Sequence, residues 1–314
     1  MRKPINAEHI EGYLFQHDLK IKTVQNSQSE NYGKEFIGGS LDIAVDEEGL
    51  NVINVRYTYV TPTTKSGGEN RTYTALKNII ESGKTWVTDG KDAATKLRCE
   101  PALALNDFVG QDGTPVSQKV NEGGFVTILT SLNPDMTRRN TFKTDIVITS
   151  VNHVDADPEK NISAPYASIR GAVFNFRNAL LPVEFIARSE GAIKYFESLD
   201  IDASNPVYTC VWGRINSTTE HYEITEESAF GEASVTVRDR KVREYVITGA
   251  NKMPYDFGDP EVLTAEDLTK AMQDREVYLA DVKKRDEEYK ASKATGNVTP
   301  VAPAAAVSKA SFSF

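Results

Sequence analysis

The sequence predicts a mainly β protein made of two similar small domains in tandem, followed by a short helix and a disordered tail. Three observations carry that prediction. The first half of the chain has an ordered echo in the second: Ala75-Leu76-Lys77-Asn78-Ile79-Ile80-Glu81-Ser82 returns as Ala192-Ile193-Lys194-Tyr195-Phe196-Glu197-Ser198, one residue shorter. Upstream of it, Gly39-Ser40-Leu41-Asp42-Ile43 matches Gly171-Ala172-Val173-Phe174-Asn175 in type, and downstream a strand-like run with Cys99 matches one with Cys210. Three matches in one order indicate internal repetition. The second observation is a succession of short runs whose apolar residues alternate at period two, as half-buried strands require. The third is length: 314 residues suffice for two domains with cores and a tail.

Residues 10–24 carry Tyr13, Leu14, Phe15, Leu19, Ile21 and Val24 and read as the first strand. Glycines 33, 38 and 39 lead into a second strand at 40–45, and Asp46-Glu47-Glu48-Gly49 is a turn signal. The returning strand, 50–60, alternates most clearly: Ile53, Val55, Tyr57 and Tyr59 share one face, Asn54, Arg56 and Thr58 the other. A polar loop over 61–70 precedes a helix at 74–82 that Gly83 ends. Strands near 95–108 and 123–132 complete the first set.

The second set begins after Asn133-Pro134 and the basic pair Arg138-Arg139. Its strands read as 142–154, 168–176 and 181–188, then a helix at 191–199, then 207–215, with 234–237 and 242–248 as the last. Thr264-Ala265-Glu266-Asp267 has the form of a capping box opening a charged helical segment, 261–291. Residues 292–314 are rich in Ala, Pro, Ser and Thr without periodicity, and should be disordered.

Strand, strand, strand, short helix, strand, strand, twice over, resembles the OB-fold, a five-stranded Greek-key barrel with a helix between its third and fourth strands. The whole is similar to phage-type single-stranded-DNA-binding proteins with tandem OB domains. That resemblance implies OB-like domains at 9–135 and 138–250. It also implies non-enzymatic binding of single-stranded DNA with little sequence preference, in phage-type replication or recombination. The alternative is a structural or adaptor protein of a virion or other assembly.

Composition narrows the classes. A formal net charge of −9 argues against coating nucleic acid by overall charge but leaves room for a local basic groove. The two cysteines lie far apart in apolar runs, so neither a disulfide framework nor a zinc spacing is expected. The start, Met1-Arg2-Lys3-Pro4, lacks the apolar stretch of a secretion signal, and no run approaches the ~20 apolar residues needed to cross a bilayer. The expectation is a cytoplasmic protein, in the host cytoplasm if viral, with no membrane partner.

Catalytic motifs fail on spacing. Gly83-Lys84-Thr85 would place the first glycine of a phosphate loop at Asn78, and the triplet follows a helix instead of preceding one. His9, His17, His153 and His221 have no ligand partners at helical or hairpin spacing. No serine sits in a nucleophile elbow. No catalytic residue, metal site or cofactor is expected.

Single-stranded nucleic acid needs cations along its phosphates and flat side chains for its bases. Two regions interleave them. Arg56, Tyr57, Tyr59, Lys65, Arg71 and Tyr73 form the first. Arg170, Phe174, Phe176, Arg177, Arg188, Trp212 and Arg214 form the second. The alternation also offers a core reading for Tyr57, Tyr59, Phe174 and Phe176. Arg238, Arg240, Lys241 and Arg243 make a basic cluster near an apparent hairpin tip. Phe312 and Phe314, at the end of the tail, are candidates for recruiting replication or recombination proteins, as the terminal aromatic does in bacterial single-stranded-DNA-binding proteins. Here the acidic tip of those tails is missing.

Overall fold

Each half of the chain closes a circuit of five strands with the same order of pairings. The computed structural model describes residues 4–157, 162–202, 205–226, 234–256 and 263–294, apart from the side chains of 220–226, 234–235, 238–241 and 292–294. The first circuit uses β1 (Asn6–His17), β3 (Glu35–Ala44), β4 (Val52–Val60), β6 (Pro115–Leu129) and β5 (Lys96–Val109), which returns to β1. A short β2 (Lys20–Thr23) pairs with β3 at the outer edge. The second circuit runs β7 (Asn140–Val154), β8 (Tyr166–Phe174), β9 (Leu180–Ala187), β11 (Ser234–Ala250) and β10 (Val207–Glu226), which returns to β7. All these pairings are antiparallel except the closing contacts, β4 with β6 and β9 with β11, which are parallel. Helices α1 (Arg71–Ser82) and α3 (Glu190–Glu197) lie between the third and fourth strands of their circuits, and α2 (Trp86–Asp89) is a single turn after α1. The protein is thus mainly β, with two OB-like five-stranded barrels in tandem.

Apolar alternation fills both barrels. Ile10, Leu14, Leu41, Ile43, Ile53, Val55 and Tyr57 point into the first, and the α1 residues Leu76 and Ile79 close its end. Ile146, Ile148, Ile169, Val173 and Phe185 fill the second, closed by Ile193 and Phe196 of α3. Cys99 and Cys210 are both buried free thiols. The helices start where polar side chains cap them: Asn70 accepts from Thr72 N and Ser189 from Ala192 N. The cap at Asn70 explains why α1 begins at Arg71, three residues before the run that its apolar spacing predicts.

The expected strand at 10–24 is broken at Asp18, whose carboxylate takes the backbone N–H and hydroxyl of Ser40 and turns the chain into β2. The last hairpins are longer than expected, since β10 and β11 pair from Val211↔Ala250 to Glu226↔Ser234. The basic cluster therefore lies within β11 and not at the tip. The side chains of Arg238, Arg240 and Lys241 are outside the described residues, while Arg243 is exposed. Of the tail expected at 292–314, residues 292–294 are helical instead, and the rest, with Phe312 and Phe314, lies outside the described residues.

The barrels meet along a buried seam. Strand β1 pairs with β7 over Asn6–Ile10 and with β5 over Ile10–Tyr13, so one sheet passes from barrel to barrel. Phe142, Phe185 and Tyr245 pack ring to ring at 5.2–5.3 Å. Tyr245 Oη lies 2.7 Å from Glu8 Oε1 and 2.6 Å from Asn121 Oδ1, and Asn121 donates its amide to Asn54 O at 2.7 Å. Burial pushes the Glu8 carboxyl up to about 8 against the pull of the Tyr245 bond. Ionised, Glu8 accepts from Tyr245; with its proton held it can instead donate to the phenol, which then donates to Asn121. Lys119 of β6 reaches across to Glu184 O at 2.8 Å and over the Tyr245 ring at 5.4 Å; burial lowers its pKa.

Helix α4 (Ala265–Ala294) runs back from the second barrel to the first. Thr264 caps it reciprocally with Asp267, the box the sequence predicts. Leu263, Leu268 and Ala271, with Tyr255 upstream, pack on Val147, Ala172, Phe174, Leu180 and Tyr208 of the second barrel. One turn on, Arg275 grips Asp107 of the β5–β6 hairpin with two bonds of 2.5 and 2.8 Å and also donates to Ser117.

Candidate functional site

The return of α4 encloses a groove of about 2350 Å³ on the first barrel. One side is the end of β4 with the following loop. Another is the β5–β6 hairpin, where Gly123 and Gly124 adopt φ of 72° and 83° at a bulge opposite Glu100 and Pro101. A side chain on Gly124 would strike Glu100 O, so the bulge that bends β6 beside the groove requires glycine. The third side is the β8–β9 turn of the second barrel, and the fourth is α4.

Arg56, Tyr59 and Lys65 from the first candidate region and Phe176 and Arg177 from the second all line this one groove. Arg56 lies on the polar face of β4, its register partner on β6 is Glu122, and its guanidinium donates to Asn106 Oδ1 at 2.7 Å. Tyr59 is half-buried, tilted on Phe36 at 4.7 Å. Lys65 is exposed on the loop. Phe176 is 72% exposed, with the Arg177 guanidinium 5.0 Å from its ring centre. The turn that presents this pair is stiff: Asn175 Oδ1 accepts from Arg177 N and Ala179 N at 2.9 and 3.0 Å. A barrel-two side chain thus completes a barrel-one site, which spacing in sequence does not reveal.

Other candidates are elsewhere. Tyr57 is 1% exposed: it continues the Ile53–Val55 face into the barrel, beside Cys99, where burial drives its phenol pKa far up and that of the thiol to about 12. Though its backbone borders the groove, no base can reach its ring. Phe174 is likewise 1% exposed, under α4. Tyr73 is buried on the inner side of α1 and donates to the Glu35 carboxylate; burial, then that bond, lifts its pKa to about 12. These three are corrected to packing roles. Arg71 is exposed at the start of α1 and Arg170 beside Glu184 at 3.6 Å, both outside the groove. Arg188 bonds Glu244 at 2.6 Å and sits over Tyr166. Trp212 and Arg214 border an adjoining space of about 500 Å³, which shares Ala7, Glu8 and His9 with the groove.

The sequence marks α4 as a helix but not as a wall of the groove. Lys270, Arg275, Tyr278, Arg285 and Tyr289 line the groove, a cation–aromatic interleaving at helical spacing. The signal was present but diluted by the neighbouring carboxylates. Asp274, Asp281 and Asp286 also line the groove, as do Glu100, Asp107 and Glu122, so its field is mixed. Much of the acidity is already engaged: Asp107 by Arg275, Asp281 by Arg285, Asp286 by Lys290 at 2.7 Å, and Glu122 by Thr58. Among the described residues no group of three or more His, Cys, Asp or Glu side chains could hold a metal ion, and no helix is long and apolar enough to cross a membrane. The surface offers binding chemistry: exposed cations and one rigidly presented aromatic.

The YorF family model matches residues 9–285. No curated protein matches the chain. Among solved structures, a deletion mutant of the single-stranded DNA binding protein from Thermus aquaticus aligns over 83% of this chain and 100% of its own, at 14% identity and a TM-score of 0.47. A replication protein A heterotrimer bound to single-stranded DNA aligns over 88% of this chain and 70% of its own, at 11% identity and a TM-score of 0.21.

Proposed function

The chain belongs to the YorF family, and for this member we propose non-enzymatic binding of single-stranded DNA with little sequence preference, in phage-type replication or recombination. The observation that carries the proposal is the convergence of Phe176-Arg177 with Arg56, Tyr59 and Lys65 on one groove. A base stacked on Phe176 gains about 1–3 kcal/mol whatever its identity, since every base has a π-face. Backbone phosphates then meet Arg56, Lys65 and Arg177. The barrels act as domains, 9–135 and 138–250, held at a set distance by the seam and by α4. Arg71, Arg170 and Arg188 serve as outlying phosphate contacts. The site of action is the cytoplasm, that of the host if the chain is viral, and the tail presents Phe312 and Phe314 to a replication or recombination partner.

Anisotropy titration with labelled oligo-dT at two salt concentrations tests this. The Arg56→Ala/Lys65→Ala/Arg177→Ala variant should bind more weakly, with a salt slope reduced by about 0.7 for each lost phosphate contact. Unchanged affinity and slope in a folded triple variant would remove the groove from the account. No binding by the native chain at low salt would leave the adaptor reading in its place.

A further inference from the structure

A second contact surface lies on the seam, away from the β8–β9 face of the second barrel. Two cross-strand rows define it. Ala7, Lys143, Trp212 and Gly249 are successive register partners across β1, β7, β10 and β11, and His9, Thr141, Arg214 and Val246 form the next row in the same sense. Residues directly opposite in antiparallel strands point to one side of the sheet. The intervening row, Glu8, Phe142 and Gly213, is buried, so the first two rows face outward.

The chemistry of this patch is that of a nucleotide site. Trp212 is 40% exposed, and its indole lies against Gly249, where an added Cβ would stand 2.4 Å from Nε1. The absence of a side chain at Gly249 leaves the room that the ring occupies there, while the residue as a whole stays exposed. Lys143 and Arg214 are exposed beside it, and these side chains bound the 500 Å³ space with Thr137, Thr141 and Thr248. Among the described residues the one carboxylate bordering this space, Glu8, is buried and bonded to Tyr245, and the nearby Asp135 accepts from Thr137 N and Oγ1. The patch is continuous with the groove, because Ala7, Glu8 and His9 of β1 border both.

We propose that the Trp212–Lys143–Arg214 patch is a second contact for the same single strand, which leaves the groove across β1, stacks one base on Trp212 and sets its flanking phosphates on Lys143 and Arg214. This rests on the single-stranded DNA reading of the groove and extends its footprint across both barrels.

Intrinsic fluorescence isolates the contact, since the chain has two tryptophans and Trp86 packs between Tyr13 and Phe15 at 5.6 and 6.0 Å. In the full-length Trp86→Phe variant, oligo-dT should quench Trp212 over the same concentration range as the anisotropy change. Trp212→Ala should weaken binding about 5- to 150-fold, the span that one lost stack implies. Trp212→Phe, which keeps a π-face, should recover most of it, and Lys143→Ala/Arg214→Ala should lower the salt slope by about 1.4. Oligo-dT binding with unquenched Trp212 and native affinity in Trp212→Ala would overturn the patch and leave the groove standing. Absence of oligo-dT binding in every variant and in the native chain would overturn both.

Discussion

The two barrels share one topology and differ in what their outer faces are made of. On the first, outward positions of β3 and β4 are polar: Asp42 accepts from Asn54 and Gln16, each at 2.7 Å, and Ser40 bonds Asp18. On the second, the corresponding positions of β8 are Ala172 and Phe174, and with Val147 and Leu180 they form an apolar platform covered by Tyr255, Leu263, Leu268 and Ala271. Tyr255 adds a bond to the buried Asp145 at 3.0 Å. One face stays open to water beside a groove, while the other is used internally to dock the helix that becomes the groove's wall. Equal folds thus take unequal roles because side-chain chemistry, not strand order, decides what a face does.

The comparison breaks most readily at its apolar side. Phe174→Ala should cost about 3–5 kcal/mol in urea unfolding, whereas Asp42→Ala on the polar face should cost less than about 1 kcal/mol. Similar losses at the two would mean the platform is no more buried than its counterpart. Next in size is Arg275→Ala, which strands a buried carboxylate at Asp107 and should destabilise by about 3 kcal/mol, with faster amide exchange along α4. Replacing both partners by apolar residues of similar volume should restore most of that loss; a double variant as weak as the single one contradicts the assignment.

A smaller effect tests whether the barrels are coupled. The folded state holds a proton on Glu8 between its ordinary value of 4.5 and about 8, a range in which the unfolded chain has released it. Stability should therefore fall as pH rises through this window, by about 1.4 kcal/mol between pH 6 and 7. Glu8→Gln keeps the bond to Tyr245 and should flatten that dependence in urea midpoints taken from pH 5 to 8. A rise with pH from this group would reverse the argument. Smallest are the caps of the paired helices: Asn70→Ala and Ser189→Ala should each cost about 1 kcal/mol by thermal melting. A much larger cost at one would show that its helix carries more of its barrel's stability.

Local patterns made much of the fold legible. The β4 alternation placed Ile53 and Val55 inside and Arg56 outside, and the two short helices were visible from their apolar spacing. Alternation failed where both faces of a strand are apolar. In β8, Val173 faces the barrel interior and Phe174 the platform, and period two cannot say that either is covered by a segment about ninety residues later. Tyr57 was ambiguous because a tyrosine suits a core or a stacking site equally, and only the closed barrel removes one option. The composite groove was out of reach altogether: Arg56, Phe176 and Arg275 are joined by chain crossings that leave no mark on local spacing. The length of the β10–β11 hairpin was hidden by a charged, weakly apolar stretch that reads as two pieces.

The wall supplied by α4 has a consequence for biosynthesis. The last strand of the first barrel ends at Leu129, yet its groove lacks a side until the ribosome has passed Tyr289. A nascent or prematurely ended chain that stops before Leu263 would display Phe174 and Leu180 as bare apolar surface. That is the kind of patch that makes soluble chains associate. Completing the groove and hiding this sticky face are therefore one event, reached only once α4 has been made and has folded back.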